Sequence, residues 1–345
     1  MKDIVKILPN FKKFNDYISN VKNKTNPIML SGLTDSGKVH FAYSTYFYAE
    51  KPICIITYNE LQAKKIIKNL EYFTDEINYF PKKEIMAYDY LAESKDITYN
   101  RIACLNDIYT QKAKIIVTTI EAVSQKIIPE EEKDKEEILS GNYATKIDKY
   151  WNSFYENPNN TFIDYIKDNY IIFLDEVSKL KARIVNVKKD TQNLIQNLIE
   201  KKRYVPQLLE KIEDYIEFLD KIKNTQTIYL ENKDIGFVDK QSMHAKRNGY
   251  SFSYREVSFF RFGIDLLFEE TKKAREKGKT VVILAGSKEN GKKISEILFE
   301  KDMTNILVEK EPKNIEESAI YITEGSQDSG FEAYDFNLFV MSVEE

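Results

Sequence analysis

Residues 32–39 read Gly32-Leu33-Thr34-Asp35-Ser36-Gly37-Lys38-Val39, a Gly-x-x-x-x-Gly-Lys spacing in a chain that has only 11 glycines. The short apolar run Pro27-Ile28-Met29-Leu30 precedes it, and a helical stretch from about Lys38 to Glu50 follows. Strand, glycine-bearing turn and helix in that order are the context of a phosphate loop. There, backbone N–H groups and the helix N-terminus hold phosphates, the lysine reaches the β/γ-phosphates, and a Ser or Thr hydroxyl ligates magnesium. Val39 stands where that hydroxyl belongs. Valine is close in shape to threonine, so the loop can keep its form and lose the metal ligand. Asp35 adds negative charge inside the loop. Two readings follow, a relic loop without hydrolysis and an active one. The relic is the expectation, because phosphoryl transfer needs the metal.

Outward from the loop, strand and helix signals alternate. Ile53-Cys54-Ile55-Ile56 is a second buried-strand run, followed by Leu61, Ile66, Ile67, Leu70 and Phe73 near helical period. Ile97 to Lys112 reads as a helix, Ile115-Ile116-Val117 as a strand, and Thr118-Thr119 as the cap of a helix over about Ile120 to Lys126. Apolar runs separated by helices predict a parallel sheet with right-handed crossovers. Pro129 ends this unit, and Glu130 to Glu137 is a charge run read as a solvated linker. The expected division is a first lobe over 1–129, a linker over 130–149 and a second lobe over 150–345.

The second part carries the strand Tyr170 to Leu174, which ends in Asp175-Glu176. An acidic pair after an apolar strand is the sequence form of a Walker B site, in which Asp holds the magnesium shell and Glu positions water. Two solvated acids at a strand end account for it equally well when it is taken alone. Val177 to Ile222 reads as helical with a break at Pro206, and Gln226 to Leu230 as a strand. Ile235 to Phe259 shows no period and is expected to be irregular or an edge hairpin. A helix over Phe262 to Glu276 stops at Gly278. Val281 to Leu284, Lys288 to Phe299 and Asn305 to Val308 make a further βαβ unit, and Ile320 to Ile322 and Leu338 to Met341 are short strands. No repeat of fixed period and no second phosphate loop are read.

Composition excludes several classes. The chain has 345 residues, 42% of them hydrophobic with 20 Phe and 23 Tyr, which is enough for real cores and rules out a disordered or collagen-like chain. The net charge of -4 argues against a chain-wide grip on nucleic acid. Two cysteines, Cys54 and Cys104, build no disulfide framework or zinc module, which suits a reducing cytoplasm. Two histidines, His40 and His244, rule out a His-rich metal site. The start is not a signal peptide, and no run approaches the roughly 18 apolar residues of a membrane span. Trp151 and its aromatic neighbours read as core, His40 as structural, and Lys240 to Arg247 as a solvated, mildly basic loop. Gly325 to Gly330 reads as a turn between strands.

Several segments taken together resemble a known family. In order they are GLTDSGK (32–38), IITYNELQAKKIIKNLEYF (55–73), YFPKKEIMAYDYLAESKDITYNRI (79–102), IIVTTIEAVSQKIIP (115–129), FYENPNNTFIDYIKDNYIIFLDEVSKL (154–180), the stretch 260–298, and ITEGSQDSGFEAYDFNLFVMSVEE (322–345). This pattern resembles the N-terminal UvrB-like module of bacterial transcription-repair coupling factors. The resemblance implies an α/β fold of RecA- or helicase-like phosphate-loop lobes, called 1A and 1B, around a degenerate nucleotide site. Gly32, Ser36, Gly37, Lys38 and Val39 fall on its first motif, and Asp175 and Glu176 on a relic second motif with no catalysis expected.

The family inserts a UvrA-binding domain between the lobes, and 130–149 leaves no room for it, so UvrA binding is not expected of this chain. The damage-gripping aromatic hairpin of UvrB has no evident counterpart in Phe80 to Arg101, although Tyr88, Tyr90 and Tyr99 lie there. In the parent, ATP and magnesium serve a DNA translocase motor, and RNA polymerase and DNA are met through parts beyond this chain. This piece is expected to have no cofactor and no ATPase activity, and to act as a scaffold or regulatory module joined to the rest of the translocase. The alternative is an ATP-dependent, helicase-like DNA enzyme of the UvrB class. That would need an arginine finger, which cannot be assigned among Arg101, Arg183, Arg203, Arg247, Arg255, Arg261 and Arg275. A third reading is an interaction protein unrelated to repair that kept the loop.

Overall fold

The computed structural model describes residues 2–83, 95–127, 160–200, 213–233, 239–257, 264–308, 316–327 and 329–343. After a 3-10 stretch over Lys2–Asn10, the elements run α1 (Lys12–Lys22), β1 (Ile28–Ser31), α2 (Asp35–Ala49), β2 (Ile53–Thr57), α3 (Glu60–Glu71), β3 (Ile77–Phe80), α4 (Lys95–Tyr109), β4 (Ile115–Thr119) and α5 (Ile120–Val123). They continue with α6 (Phe162–Ile166), β5 (Ile171–Asp175), α7 (Val177–Glu200), α8 (Tyr215–Ile222), β6 (Thr227–Glu231), α9 (Lys240–Arg247), β7 (Tyr250–Ser251), β8 (Tyr254–Val257) and α10 (Ile264–Glu276). The last are β9 (Thr280–Leu284), α11 (Lys288–Glu300), β10 (Ile306–Leu307), β11 (Ile320–Thr323), β12 (Gly330–Ala333) and β13 (Leu338–Ser342).

Two sheets form. The first has the order β3-β4-β2-β5-β6-β1-β7, and every pairing in it is parallel. The second has the order β10-β11-β9-β13-β12-β8. It is parallel through β13 and antiparallel at β12 and β8. Strands β1, β2, β4, β5 and β6 are buried along their whole length, as runs of Ile, Val and Leu covered on both faces must be. The α/β class and the parallel sheet read from the sequence are present.

The division between lobes is not where the sequence placed it. β5 and β6, assigned to a second lobe beginning at residue 150, lie in the first sheet, where β5 pairs with β2 and β6 pairs with β1. The sheets divide between Ser251 and Tyr254. A short apolar run fixes that a strand is buried and carries no information about which neighbour it joins, so a charge run was mistaken for a boundary. The expected linker over 130–149, Trp151, the break at Pro206, Tyr88 and Tyr90 lie outside the described residues.

Several elements escaped the sequence reading, α1 and α6 among them. β3 is half-exposed except for Phe80, so it shows no apolar run. β12 begins on a glycine that the sequence assigned to a turn. α9 lies in the stretch expected to be irregular or solvated loop. It is polar, and its signal is the N-cap: Asp239 accepts from the Ser242 amide while the Ser242 hydroxyl meets the Asp239 amide.

Helix α2 has no wet face over Ser36–Thr45, where every residue is buried. A helix buried all round has protein on every side. One continuous apolar cluster holds Val39, Phe41, Ala42 and Tyr43 of α2 together with Ile28, Leu30, Ile53 and Ile55 of the first sheet and Val282, Leu284, Phe331, Leu338 and Val340 of the second. The helix that follows the glycine motif is thus shared by the two sheets.

Candidate nucleotide site

The motif begins where β1 ends. Gly32 has φ 78°, and a Cβ built there would lie 1.8 Å from the Phe252 carbonyl oxygen, so only glycine fits. Its own carbonyl accepts from the Tyr254 amide at 3.1 Å. Thr34 caps α2, its hydroxyl accepting from the Gly37 amide at 3.2 Å. The helix therefore starts at Asp35, three residues earlier than the sequence suggested. Only Leu33 and Thr34 separate Gly32 from it, and Asp35, Ser36 and Gly37 belong to its first turn. The strong Thr cap decides this start, and it shortens the loop that would wrap a phosphate.

Lys38, Asp175 and Glu176, read from two motifs far apart in the chain, converge. Lys38 Nζ donates to Asp175 Oδ1 at 2.7 Å and to Glu176 Oε1 at 2.6 Å. The side chains are 4%, 1% and 13% exposed. Burial alone would push the Lys38 ammonium down, but the two carboxylates hold it above its ordinary value. The Thr57 hydroxyl, at the end of β2, donates to Asp175 Oδ2 at 2.8 Å. The Asn232 amide donates to Glu176 Oε1 at 2.8 Å. The amine is thus satisfied by protein acids.

Two neighbours were not foreseen. Glu231, the last residue of β6, is fully buried and accepts the Val177 amide at the start of α7 at 2.9 Å. Its other carboxyl oxygen meets no hydrogen-bond partner. Burial, with Glu176 close by and the Val177 N–H opposing, pushes its carboxyl up to about 8. Thr57 and Glu231 share one signal, a polar residue closing an apolar strand at the edge where the acids stand. Asp175 is paired in register with Leu230, one residue from Glu231.

The other motif residues face elsewhere. Val39 is 2% exposed within the apolar cluster. Ser36, also buried, donates to the Ser329 carbonyl at 3.0 Å and lies 3.1 Å from the Ser329 hydroxyl. Lys65 lies 3.6 Å from Asp35 at the mouth of the helix. His40 is fully buried, and burial drives its imidazole down to about 3, in keeping with the structural role read for it. His244 lies on the exposed side of α9. Among the described residues, no cluster of His, Cys, Asp and Glu could hold a metal ion.

The same Gly-x-x-x-x-Gly-Lys spacing also occurs at Gly286-Ser287-Lys288-Glu289-Asn290-Gly291-Lys292, which the sequence reading passed over. It joins β9 to α11 with Gly286 at φ 76° and Ser287 as the cap. There the second glycine packs against Leu307, Ala285 and Ile322. The spacing therefore occurs twice in this fold, each time between a strand and a helix, and alone does not assign a phosphate site.

The chain is similar over 212 residues to the transcription-repair-coupling factor of Bacillus subtilis, at 29% identity, covering 61% of this chain and 17% of that protein. It is 24% identical over 193 residues to the transcription-repair-coupling factor of Staphylococcus epidermidis, covering 55% of this chain and 16% of the relative. The resemblance read from the motifs is therefore shared with curated relatives, of which this chain spans about a sixth. No family profile matches the chain. Among solved structures, an XPD helicase overlays with a TM-score of 0.36 at 10% identity, covering 90% of this chain and 78% of that one. A DEAD box protein from Methanococcus jannaschii gives 0.31 at 12% identity, covering 89% and 71%.

Proposed function

We propose that this chain is a non-catalytic scaffold or regulatory module of the transcription-repair-coupling type, built on a nucleotide site that no longer takes nucleotide. The observation that carries this reading is that Asp175 and Glu176 hold the motif lysine from inside the protein. Magnesium nucleotide does not fit the residues present. Val39 brings no hydroxyl, both acids that would face the metal shell are engaged by Lys38, and Asp35 adds negative charge at the helix start. The whole parent would supply the ATP-driven motor and meet RNA polymerase, DNA and UvrA, and this piece would join the motor to repair as a docking element. A cytoplasmic setting suits two buried free thiols and described helices too short or too polar to cross a membrane.

The test is calorimetric titration of the chain with ATP, with and without magnesium, beside an ATP turnover assay. No binding heat and no turnover are expected. Magnesium-dependent hydrolysis lost in Lys38→Ala would reject the reading. One observation favours the second reading, an ATP-dependent enzyme of the UvrB class: the lysine and the acidic pair do meet at one sheet edge. Val39→Thr separates the two, because an otherwise competent site regains metal-dependent nucleotide binding when the hydroxyl returns, whereas a dismantled one does not.

A further inference from the structure

Contacts between the halves of the molecule converge on and beside the first turns of α2. Ser36, the second helical residue, is fully buried and meets Ser329, which immediately precedes β12. At Gly37, an added Cβ would lie 2.7 Å from the Tyr254 ring of β8. One turn on, His40 stacks near Phe73 of the first half at 6.2 Å and Phe331 of the second at 5.3 Å, with its Nδ1 3.4 Å from the Tyr254 hydroxyl. Beside them, Gly325, at φ 110°, lies under the Tyr72 ring, where a Cβ would approach to 2.8 Å. Behind this layer, Phe41 packs on Phe252 at 4.5 Å and on Phe336 at 5.8 Å.

We propose that Tyr254 and Ser329 of the second sheet form a built-in lock on the N-terminus of α2, closing the place where a phosphate would sit and fixing the two sheets as one rigid unit. Both the second and third helical residues of the motif are used by it. Ser36 exchanges water for Ser329, and Gly37 is kept small for an aromatic ring of the protein itself. A helix N-terminus in the open favours an anion. Here the approach is covered by groups that arrive from the other sheet, so a ligand could enter only if the sheets parted, and parting them exposes the aromatic layer behind. The lock extends the relic-site reading but does not need Lys38 to be ion-paired.

Hydrogen exchange of the full chain, read by mass spectrometry, tests it. In the unaltered protein the amides of Gly37–Phe41 should exchange only with global unfolding, at the rate of the β5 amides. Tyr254→Ala combined with Ser329→Gly should speed exchange in α2 by about 100-fold while β5 keeps its protection, because local opening is then decoupled from the global transition. Gly37→Ala, which leaves Tyr254 in place and displaces its ring, should act in the same direction and guards against misfolding of the double variant. Rapid exchange of α2 in the unaltered chain, or equal loss of protection in α2 and β5 in both variants, would overturn the lock. Binding of ATP to the unaltered chain only as α2 loses its protection would overturn the relic-site reading and leave the lock standing, whereas binding with α2 still protected would overturn both.

Discussion

Replacing Lys38 by methionine separates a folding role from a ligand-holding one. Methionine keeps the length and the apolar stem and removes only the ammonium. The two carboxylates it served at 2.7 and 2.6 Å are then left facing one another, with Glu231 behind them. Removing one partner of a buried ion pair costs about 3–5 kcal/mol, because a desolvated charge is left uncompensated. Against a domain stability of about 5–15 kcal/mol this is a large fraction. Equilibrium urea unfolding followed by circular dichroism should show a midpoint lowered by on the order of 1 M. The triple variant Lys38→Met, Asp175→Asn, Glu176→Gln should recover most of the loss, since the whole buried set is neutralised together. A Lys38→Met midpoint unchanged within error refutes the reasoning. It would mean that the ammonium contributes nothing to the fold and stands free for a phosphate.

Glu231 gives a pH signature. Its folded pKa is raised to about 8 from 4.5, so its contribution is intact below about pH 4.5 and is lost as pH rises toward 8, by up to roughly 5 kcal/mol. Glu231→Gln should flatten this decline in stability measured from pH 5 to 9, and an unchanged profile would show that the carboxyl ionises freely. Gly32→Ala should destabilise by about 2 kcal/mol or more, because the residue sits at φ 78° against the Phe252 carbonyl; a calorimetric melting temperature equal to that of the parent contradicts it. Cys54 and Cys104 are buried and their thiols are pushed up mainly by burial, so neither should react with iodoacetamide until the chain unfolds. Labelling of the native protein within minutes would show that the core opens there.

How far the site could be read in advance depended on what each residue reports. Gly32, Lys38, Asp175 and Glu176 were legible because strand ends mark themselves with a glycine or a charge after an apolar run. Thr57 and Glu231 have the same signature at the ends of β2 and β6 but belong to no motif, so nothing singled them out. Ser36 and Gly37 looked like phosphate-binding residues, and their contacts instead come from Tyr254 and Ser329, more than two hundred residues away. The start of α2 at Asp35 was a local matter, written in the Thr34 cap, and the motif reading overrode it. The repeated spacing at Gly286–Lys292 shows the same weakness from the other side, since two glycines and a lysine recur at a second strand-to-helix turn.

Local chemistry alone therefore determined the α/β class, most of the buried strands and the helices between them. These follow from side-chain type and period, which the chain carries residue by residue. The partner of each strand, the division of sheets after Ser251, the burial of α2 on all sides and the capture of Lys38 by two acids were decided only in three dimensions. Pairing and desolvation depend on which distant segments arrive together. A lysine in a sequence is the same lysine whether a phosphate or a carboxylate comes to meet it.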